Sequence, residues 1–269
     1  MLKFLKKMKV SRVLEHTLID YPGKIAVVVF TSGCNFKCPA CYSKPVVEGG
    51  SVINEEKIFS YLDSKRDWID GVVICGGEPT IQPDLPDFIR QLKQQNLAVK
   101  LDTNGSNPNA LEKAIEAGVD YVAMDVKAPP KYYSSVVGAD SDNLRFSLSD
   151  IENSMRILTQ AKQEKRERKI DYELRTTIVP VIRNNNPLSW ITPEEAVEMA
   201  GWINKTTGTQ EHRYILQPFV ARTKEEMMDE RFSEENLPQE MRETPQEVMQ
   251  KLKEAVLPYL PNCRIRGES

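Results

Sequence analysis

Short apolar, β-branched segments alternate with helical patterns along most of this chain. The clearest is Ile25–Phe30, a continuous apolar run typical of a strand buried on both faces. Further strands are predicted at 72–75, 98–102, 121–125, 172–179, 214–217 and 263–266. Helices are predicted from Asn54, at 85–95, 109–117 and 151–168, from Thr192, and at 245–257. Such βα alternation indicates parallel strands with helices outside. About six units predict an α/β fold, a partial (β/α)6 TIM-like barrel rather than a closed eight-stranded one.

The chain shows no convincing linker, so a single domain is expected. Its 269 residues, 40% of them hydrophobic, suffice for one core of barrel size. We expect the core at about 20–220 and a C-terminal extension at 221–269. Residues 222–243 are polar without a clear period and predict a long loop or irregular lid.

Charge and hydropathy narrow the cellular setting. Lys and Arg number 36 against 39 Asp and Glu, a net charge of -3. This balance gives no case for a nucleic-acid or anionic-membrane partner. The run Ile25–Phe30 is far too short to span a bilayer, and no apolar segment of signal-peptide type follows the basic N-terminus. A cytoplasmic location is expected.

Three of the five cysteines, Cys34, Cys38 and Cys41, fall within eight residues directly after the first predicted strand. Clustered cysteines in a cytosolic chain are more often metal ligands or catalytic groups than disulfide partners. Three thiolates can hold three corners of an iron–sulfur cube and leave the fourth iron open. A zinc knuckle is the alternative. It would need a fourth ligand, and neither His16 nor His212 lies at knuckle spacing.

Two cysteines lie outside this motif. Cys75 closes an apolar strand and is expected to be a small packing residue rather than a ligand. Cys263 has no assigned role, and both histidines are expected to be structural or exposed.

Polar groups follow the other predicted strands where each one ends. Since the carboxyl ends of parallel strands meet at one rim, these groups are expected to converge there. Each segment alone has an ordinary interpretation as a turn, a helix start or a surface residue. The set comprises Gly76, Gly77, Glu78, Asp102, Thr103, Asn104, Asp125, Lys127 and Arg175.

Together these motifs resemble those of radical S-adenosylmethionine (SAM) enzymes. The cysteine triad resembles that family's signature, and Gly76–Glu78 resembles its second motif. Asp102-Thr-Asn-Gly, Asp125-Val-Lys and Arg175 within Leu-Arg-Thr-Thr-Ile-Val-Pro are similar to the glycyl-radical-enzyme activases. The opening 18–24 resembles the short anaerobic ribonucleoside-triphosphate reductase activating proteins. The resemblance covers about 10–220.

The resemblance implies a [4Fe–4S] cluster on the three cysteines, with SAM on the open iron. Gly76 and Gly77 would approach the methionyl end closely, and Glu78 would order the loop or meet the amine. Further implied SAM-binding residues are Asp102, Thr103, Asn104, Lys127, Arg175 and Tyr42. Lys127 and Arg175 suit the SAM carboxylate or ribose, and Asp102 suits the amine or ribose hydroxyls. A monovalent cation is implied at Asp102, Thr103, Ala123 and Asp125.

The implied activity is reductive cleavage of SAM and installation of a glycyl radical on a partner enzyme, with flavodoxin or ferredoxin as electron donor. The expected partner is an anaerobic ribonucleoside-triphosphate reductase, with a pyruvate formate-lyase-like enzyme next. One alternative is a radical SAM enzyme acting on a small molecule or nucleic acid, such as a deazapurine precursor. Another is a non-enzymatic zinc or iron–sulfur interaction module.

The chain departs from the family pattern near the cysteines. Ala40 stands where an aromatic residue usually precedes the third cysteine, and Tyr42 stands where many activases have histidine. Tyr42 or Phe36 is a candidate to replace the missing adenine contact. Val220 lies near the place of another adenine-contacting histidine. Without an eight-cysteine insertion, a single cluster is expected.

Overall fold

The structure is a computed structural model that describes residues 8–50, 52–139, 147–163, 170–183 and 186–268. Its centre is an eight-stranded sheet, accompanied by a separate two-stranded hairpin. The strands are β1 (Val10–Thr17), β2 (Ala26–Thr31), β3 (Gly71–Gly76), β4 (Ala98–Thr103), β5 (Tyr121–Asp125), β6 (Asp171–Ile178), β7 (Val181–Arg183), β8 (Asn186–Ser189), β9 (Tyr214–Pro218) and β10 (Cys263–Ile265).

The sheet confirms the predicted partial barrel. Its strand order is β1-β2-β3-β4-β5-β6-β9-β10. All neighbours from β2 to β10 are parallel, whereas β1 is antiparallel to β2. The edge strands β1 and β10 do not pair with each other, so the sheet stays open along one side.

Helices connect the parallel strands. They are α1 (Lys44–Val47), α2 (Glu55–Ser64), α3 (Leu85–Gln94), α4 (Pro108–Ala117), α5 (Pro130–Val136), α6 (Leu148–Gln163), α7 (Pro193–Thr207) and α8 (Gln246–Val256). Local sequence explains several ends. The Asn54 side chain accepts a hydrogen bond from the Glu56 amide, and Thr192 forms a capping box with Glu195.

Strand residues alternate between two environments. On β4, Val99 and Leu101 are fully buried in the large apolar core between sheet and helices. Their neighbours Lys100 and Asp102 occupy the opposite face, inside the curved sheet. The apolar cluster on that inner face is small and comprises Tyr21, Ala26, Val28, Val73, Tyr121 and Ala123. The interior is therefore free to carry polar groups towards the carboxyl ends of the strands.

Several elements differ from the sequence predictions. β1, α1, α5 and the β7–β8 hairpin were not predicted, because they are short or follow no apolar period. α6 begins at Leu148, three residues early, and the last part of the predicted helix, 164–168, lies outside the described residues.

The C-terminal part contains the predicted last helix and final strand, α8 and β10. β10 pairs with β9, and α8 packs against α7, so both complete the main sheet and its helical layer. Within 222–243, two 3-10 helices form at Glu230–Phe232 and Gln239–Met241. The helices of the described residues include none long and apolar enough to cross a membrane.

Candidate active site

The cysteine loop, residues 33–43, joins β2 to α1 at the carboxyl edge of the sheet. All three of its thiols are free and half-buried. The Cys41 amide donates to the Cys38 carbonyl at 3.0 Å, which turns the loop back on itself. The Lys37 amide donates to the Val137 carbonyl at 3.0 Å and ties the loop to the end of α5. The sequence thus presents three thiols from one constrained turn.

The Gly-Gly segment after β3 packs directly on this loop. A Cβ on Gly77 would lie 1.8 Å from the Gly33 carbonyl oxygen, and Gly76 has a φ of +109°. The Glu78 amide donates to the same Gly33 oxygen at 2.9 Å. Because Gly77 has no side chain, the backbone after β3 can touch the backbone of the cysteine loop. From the resemblance, the same glycines are expected to allow close approach of the SAM methionyl end.

Glu78 orders the rim from inside the protein, with 1% of its surface exposed. Its Oε1 accepts from the Thr80 amide at 3.0 Å and the Thr103 hydroxyl at 2.7 Å. Its Oε2 accepts from the Asn104 amide at 2.7 Å. Burial raises the pKa of this carboxyl, while the hydrogen bonds from Thr80, Asn104 and Thr103 lower it. Glu78 thus links the ends of β3 and β4.

A small amide network extends this link to the cysteines. Asn104 Nδ2 donates to Asn35 Oδ1 at 3.0 Å and lies 3.9 Å from Cys34 Sγ. Asn35 Nδ2 and Asn104 Oδ1 both bond to the Ser106 hydroxyl. Asn35 and Ser106 were missed in the sequence, although Asn35 lies inside the cysteine motif, where any polar residue is a candidate.

A continuous chain of ion pairs lines the mouth of the barrel. Asp125 Oδ1 accepts from Arg175 Nε at 2.6 Å, and its Oδ2 accepts from Lys127 Nζ at 2.7 Å. Arg175 Nη1 donates to Asp102 Oδ2 at 3.1 Å. Asp102 Oδ1 is paired with Lys100 Nζ. We call these five residues, Lys100, Asp102, Asp125, Lys127 and Arg175, the ion chain.

The ion chain holds three cations and two carboxylates. Burial raises the pKa of Asp125, but Arg175 and Lys127 outweigh it and hold that pKa well below its usual range. Asp102 behaves likewise, with Lys100 and Arg175 as the opposing charges. Both carboxyls are therefore ionised at neutral pH. The five side chains of the ion chain together carry one net positive charge. Such a mouth suits a ligand with a carboxylate.

The family comparison agrees with this geometry. The model of the radical SAM superfamily matches residues 28–186. The chain belongs to the radical SAM superfamily. Membership implies a [4Fe–4S] cluster and SAM as cofactors and an enzyme that works by radical chemistry.

The chain is also similar to individual curated proteins. One, from Methanocaldococcus jannaschii, is named "Putative glycyl-radical enzyme activating enzyme MJ1227". It is 34% identical over 186 residues, which cover 68% of this chain and 73% of the relative. A 7-carboxy-7-deazaguanine synthase from Clostridium acetobutylicum is 26% identical over 54% of this chain and 70% of its own length.

Solved structures support the fold. Streptococcus suis SuiB, in a crystal structure with its precursor peptide SuiA, superposes with a TM-score of 0.58 and 14% identity. The match covers 89% of this chain and 48% of SuiB. Methylornithine synthase superposes with a TM-score of 0.54 over 89% of this chain and 63% of that one, at 13% identity.

The donor set fits the superfamily's cluster. Three thiols on one loop are the ligands that iron–sulfur clusters use, each on its own iron. Among the described residues, no three Cys, His, Asp or Glu side chains surround a single point as one bound ion would need. Burial raises the pKa of the free Cys34 thiol to about 12 and of Cys38 to about 11, with Lys127 opposing at Cys38. Cluster binding must therefore displace these thiol protons.

The residues that depart from the family pattern take different places. Phe36 is 2% exposed and belongs to the large core, against which Cys34 and Cys38 also pack. Ala40 packs against apolar residues of the 219–244 segment. Tyr42 is 51% exposed. Partial burial raises the pKa of its phenol, and the charge of Arg175 opposes that rise. Val220 is 37% exposed and pairs in a bridge with Glu243.

The residues predicted for a monovalent cation are only partly brought together. Asp102 and Ala123 are register partners on β4 and β5, and Asp125 ends β5. However, Arg175 bonds to both carboxylates, at 3.1 Å and 2.6 Å. The Thr103 hydroxyl points away, to Glu78. The cation stays a prediction.

The remaining cysteines and histidines are also located. Cys75 is half-buried on the inner face, where it is the register partner of Phe30. Cys263 is 3% exposed in the large core. His16 is exposed, and His212 is fully buried between the hydroxyls of Tyr172 and Thr207, each at 2.8 Å.

Proposed function

We propose that this radical SAM enzyme is a glycyl-radical-enzyme activase. One observation carries the proposal: a cysteine loop of the superfamily type stands beside an ion chain whose motif residues also belong to the activase pattern. The similarity to a relative named as a glycyl-radical activating enzyme supports it.

In this proposal Cys34, Cys38 and Cys41 hold the cluster and the ion chain receives SAM. Lys127 and Arg175 lie on opposite sides of Asp125, and their side chains remain 26% and 14% exposed. Their cationic edges would bind the SAM carboxylate or ribose hydroxyls, while Asp102 would accept from the amine or ribose. Gly76, Gly77, Glu78, Thr103 and Asn104 would keep the rim in shape around the methionyl group, and Tyr42 would cover the adenine side. A monovalent cation at Asp102, Thr103, Ala123 and Asp125 would require Arg175 to release a carboxylate.

The reduced cluster would supply the electron that cleaves SAM to methionine and a 5′-deoxyadenosyl radical, which removes a hydrogen atom from a glycine Cα of the partner. The partner we propose is an anaerobic ribonucleoside-triphosphate reductase, with a pyruvate formate-lyase-like enzyme as the alternative. Flavodoxin or ferredoxin would donate the electron. The chain's own part is to orient SAM and exclude water.

The open side of the sheet would admit the glycine-bearing loop. β1 and β10 leave the barrel unclosed, which a peptide substrate needs more than a small molecule does. SuiB, which has the same fold, has been crystallised with a precursor peptide. The near-neutral charge of -3 also favours a protein substrate over nucleic acid.

Anaerobic reconstitution tests the proposal in two stages. With iron, sulfide, SAM and dithionite, we expect a brown protein that forms 5′-deoxyadenosine. Cys34→Ala should lose both properties, whereas Cys75→Ala, the matched control outside the motif, should keep its iron. Absence of 5′-deoxyadenosine from the wild type would overturn the enzyme class.

The second stage adds the candidate reductase. We expect a glycyl-radical doublet in its EPR spectrum that depends on SAM and on the intact cysteine loop. Formation of 5′-deoxyadenosine without this doublet would overturn the reductase as partner and leave the class standing. The pyruvate formate-lyase-like partner is then assayed in the same way.

A second candidate is a radical SAM enzyme acting on a deazapurine precursor. The 26% identity to a 7-carboxy-7-deazaguanine synthase favours it. Against it stand the higher identity to the activating enzyme and the activase-type motifs at Asp102 and Asp125. Substrate-dependent 5′-deoxyadenosine formation with a deazapurine precursor, but not with the reductase, would favour this candidate.

A further inference from the structure

Residues 219–244, which we call the strap, form a small folded unit on the outside of the barrel mouth. Their apolar side chains make a core separate from that of the sheet, comprising Phe219, Ala221, Met227, Phe232, Leu237 and Met241. The Ala221 amide donates to the Arg242 carbonyl at 2.7 Å and closes the unit. The Thr244 hydroxyl donates to the Ile178 carbonyl at 2.8 Å and fastens it to the end of β6.

The strap is hydrogen-bonded, through main-chain atoms, to residues 39–44 at the end of the cysteine loop. The Met228 amide donates to the Cys41 carbonyl at 2.8 Å, and the Asp229 amide donates to the Pro39 carbonyl at 3.2 Å. In the other direction, the Lys44 amide donates to the Glu226 carbonyl at 3.0 Å. These three bonds resemble a short strand pairing laid along the loop.

Ala40 completes the contact. It lies between Pro39 and Cys41, and its side chain packs into the strap core. A larger residue there would compete for space with the buried side chains of the strap core. The small residue before the third cysteine thus belongs with the strap as one packing arrangement.

We propose that the strap positions the Cys38–Cys41 turn, so that the loop has its ligand-presenting shape before the cluster is bound. Ordering the loop in advance removes an entropic cost from cluster binding. The strap lies outside residues 28–186, the part matched by the superfamily model. The inference rests on the cysteines being the cluster ligands and not on the identity of the partner enzyme.

Hydrogen exchange on the cluster-free, reduced chain tests this without any activity assay. Met228→Pro removes the amide that bonds to Cys41, whereas Met228→Ala keeps it. We expect Met228→Pro to speed exchange of the Cys41 and Lys44 amides at least tenfold, and Met228→Ala to change it less than twofold. Wild-type exchange in the proline variant, or equal acceleration in both, would overturn the proposal.

A second pair of variants covers the case in which the proline variant does not fold. Met227→Ala empties the strap core, and Met155→Ala removes the same side chain from an equally buried site in α6. We expect Met227→Ala alone to speed Cys41 and Lys44 exchange tenfold and to accelerate iron loss to a chelator from the reconstituted protein. If Met155→Ala does the same at a matched loss of stability, the strap has no special part in holding the loop.

Discussion

The barrel interior has a mouth, at the carboxyl ends of the parallel strands, and a base at the opposite end. The two ends carry similar residues in different arrangements. At the mouth, Arg175 joins two carboxylates in an ion chain that is open to solvent on one side. At the base, the neighbouring inner-face residue of β6, Glu173, is 4% exposed. It accepts from the hydroxyl of Tyr121 at 2.8 Å and from Arg266 at 3.4 Å.

Aromatic rings distinguish the base of the barrel from its mouth. Tyr121 also accepts from Arg213 at 2.8 Å, and its ring lies 6.0 Å from that of Tyr21, which fills the base. The five residues of the ion chain at the mouth include no aromatic ring. Polar groups at the base are therefore closed off by aromatic rings, whereas those at the mouth remain partly exposed.

Gly77→Ala should have the largest effect, because it acts on the backbone of the mouth. The new Cβ would displace the Gly33 carbonyl and with it the neighbouring Cys34. We expect a loss of stability of about 2 kcal/mol or more and a failure to incorporate the cluster, measured by urea unfolding and iron content.

Gly201→Ala in α7 is the matched control. Nothing lies within 4 Å of its Cβ position, so it should gain about 0.5–1 kcal/mol from helix propensity and keep full iron content. A Gly77→Ala protein with wild-type iron would show that the two loops do not depend on each other.

Arg175→Leu should be next, since it leaves Asp125 and Asp102 with one cation each. We expect at least about a hundredfold slower 5′-deoxyadenosine formation, equivalent to about 2.7 kcal/mol. The absorbance of the reconstituted cluster should persist. Arg213→Leu at the base is the control and should leave the rate within twofold. Equal losses in both variants would erase the distinction between mouth and base.

Glu173→Gln should produce the reverse pattern. The buried carboxylate serves Tyr121 and Arg266, so its neutralisation should lower the free energy of unfolding by about 1–3 kcal/mol. SAM cleavage per folded molecule should not change. Urea unfolding together with the 5′-deoxyadenosine rate checks this, and a tenfold slower rate would place Glu173 in the functional site.

Lys100→Met should have the smallest effect, of about 1 kcal/mol, because Asp102 keeps Arg175. The folded pKa of Asp102 is lowered, so its stabilising effect is present above about pH 4 and fades as the pH falls through the folded value. The wild type should therefore exceed the variant in stability at pH 7 by more than at pH 3. An equal difference at both pH values would argue against the charge pairing.

The sequence predicted the parallel order and the strand-end motifs because both depend on local patterns. The period of apolar residues located β2 to β6, and the motif spacing located Cys34, Glu78 and Arg175 at one rim. Glu173 and Arg175 share a strand face two residues apart, yet belong to opposite ends of the interior. The residues that surround each of them come from other strands, so a local sequence pattern cannot predict the difference.

The sequence predicted a long loop or irregular lid at 222–243, but neither the apolar core of the strap nor the burial of Lys100. Residues 222–243 lack a period because their apolar side chains meet through irregular turns, and only the fold brings Ala40 to them. Lys100 lies in a predicted strand, but it is 1% exposed and paired with Asp102 on the inner face of the sheet. Burial of a lone lysine is not visible without the partner that neutralises it.

The contact between Gly77 and Gly33 has a consequence for protein engineering. The cysteine loop and the Gly-Gly-Glu turn touch backbone to backbone, with no side chain between them that could adapt to a new neighbour. A cysteine loop transplanted alone into another scaffold would lack the surface that shapes its first residues. A portable cluster-binding unit would therefore need at least both loops, carried together by the adjacent strands β2 and β3.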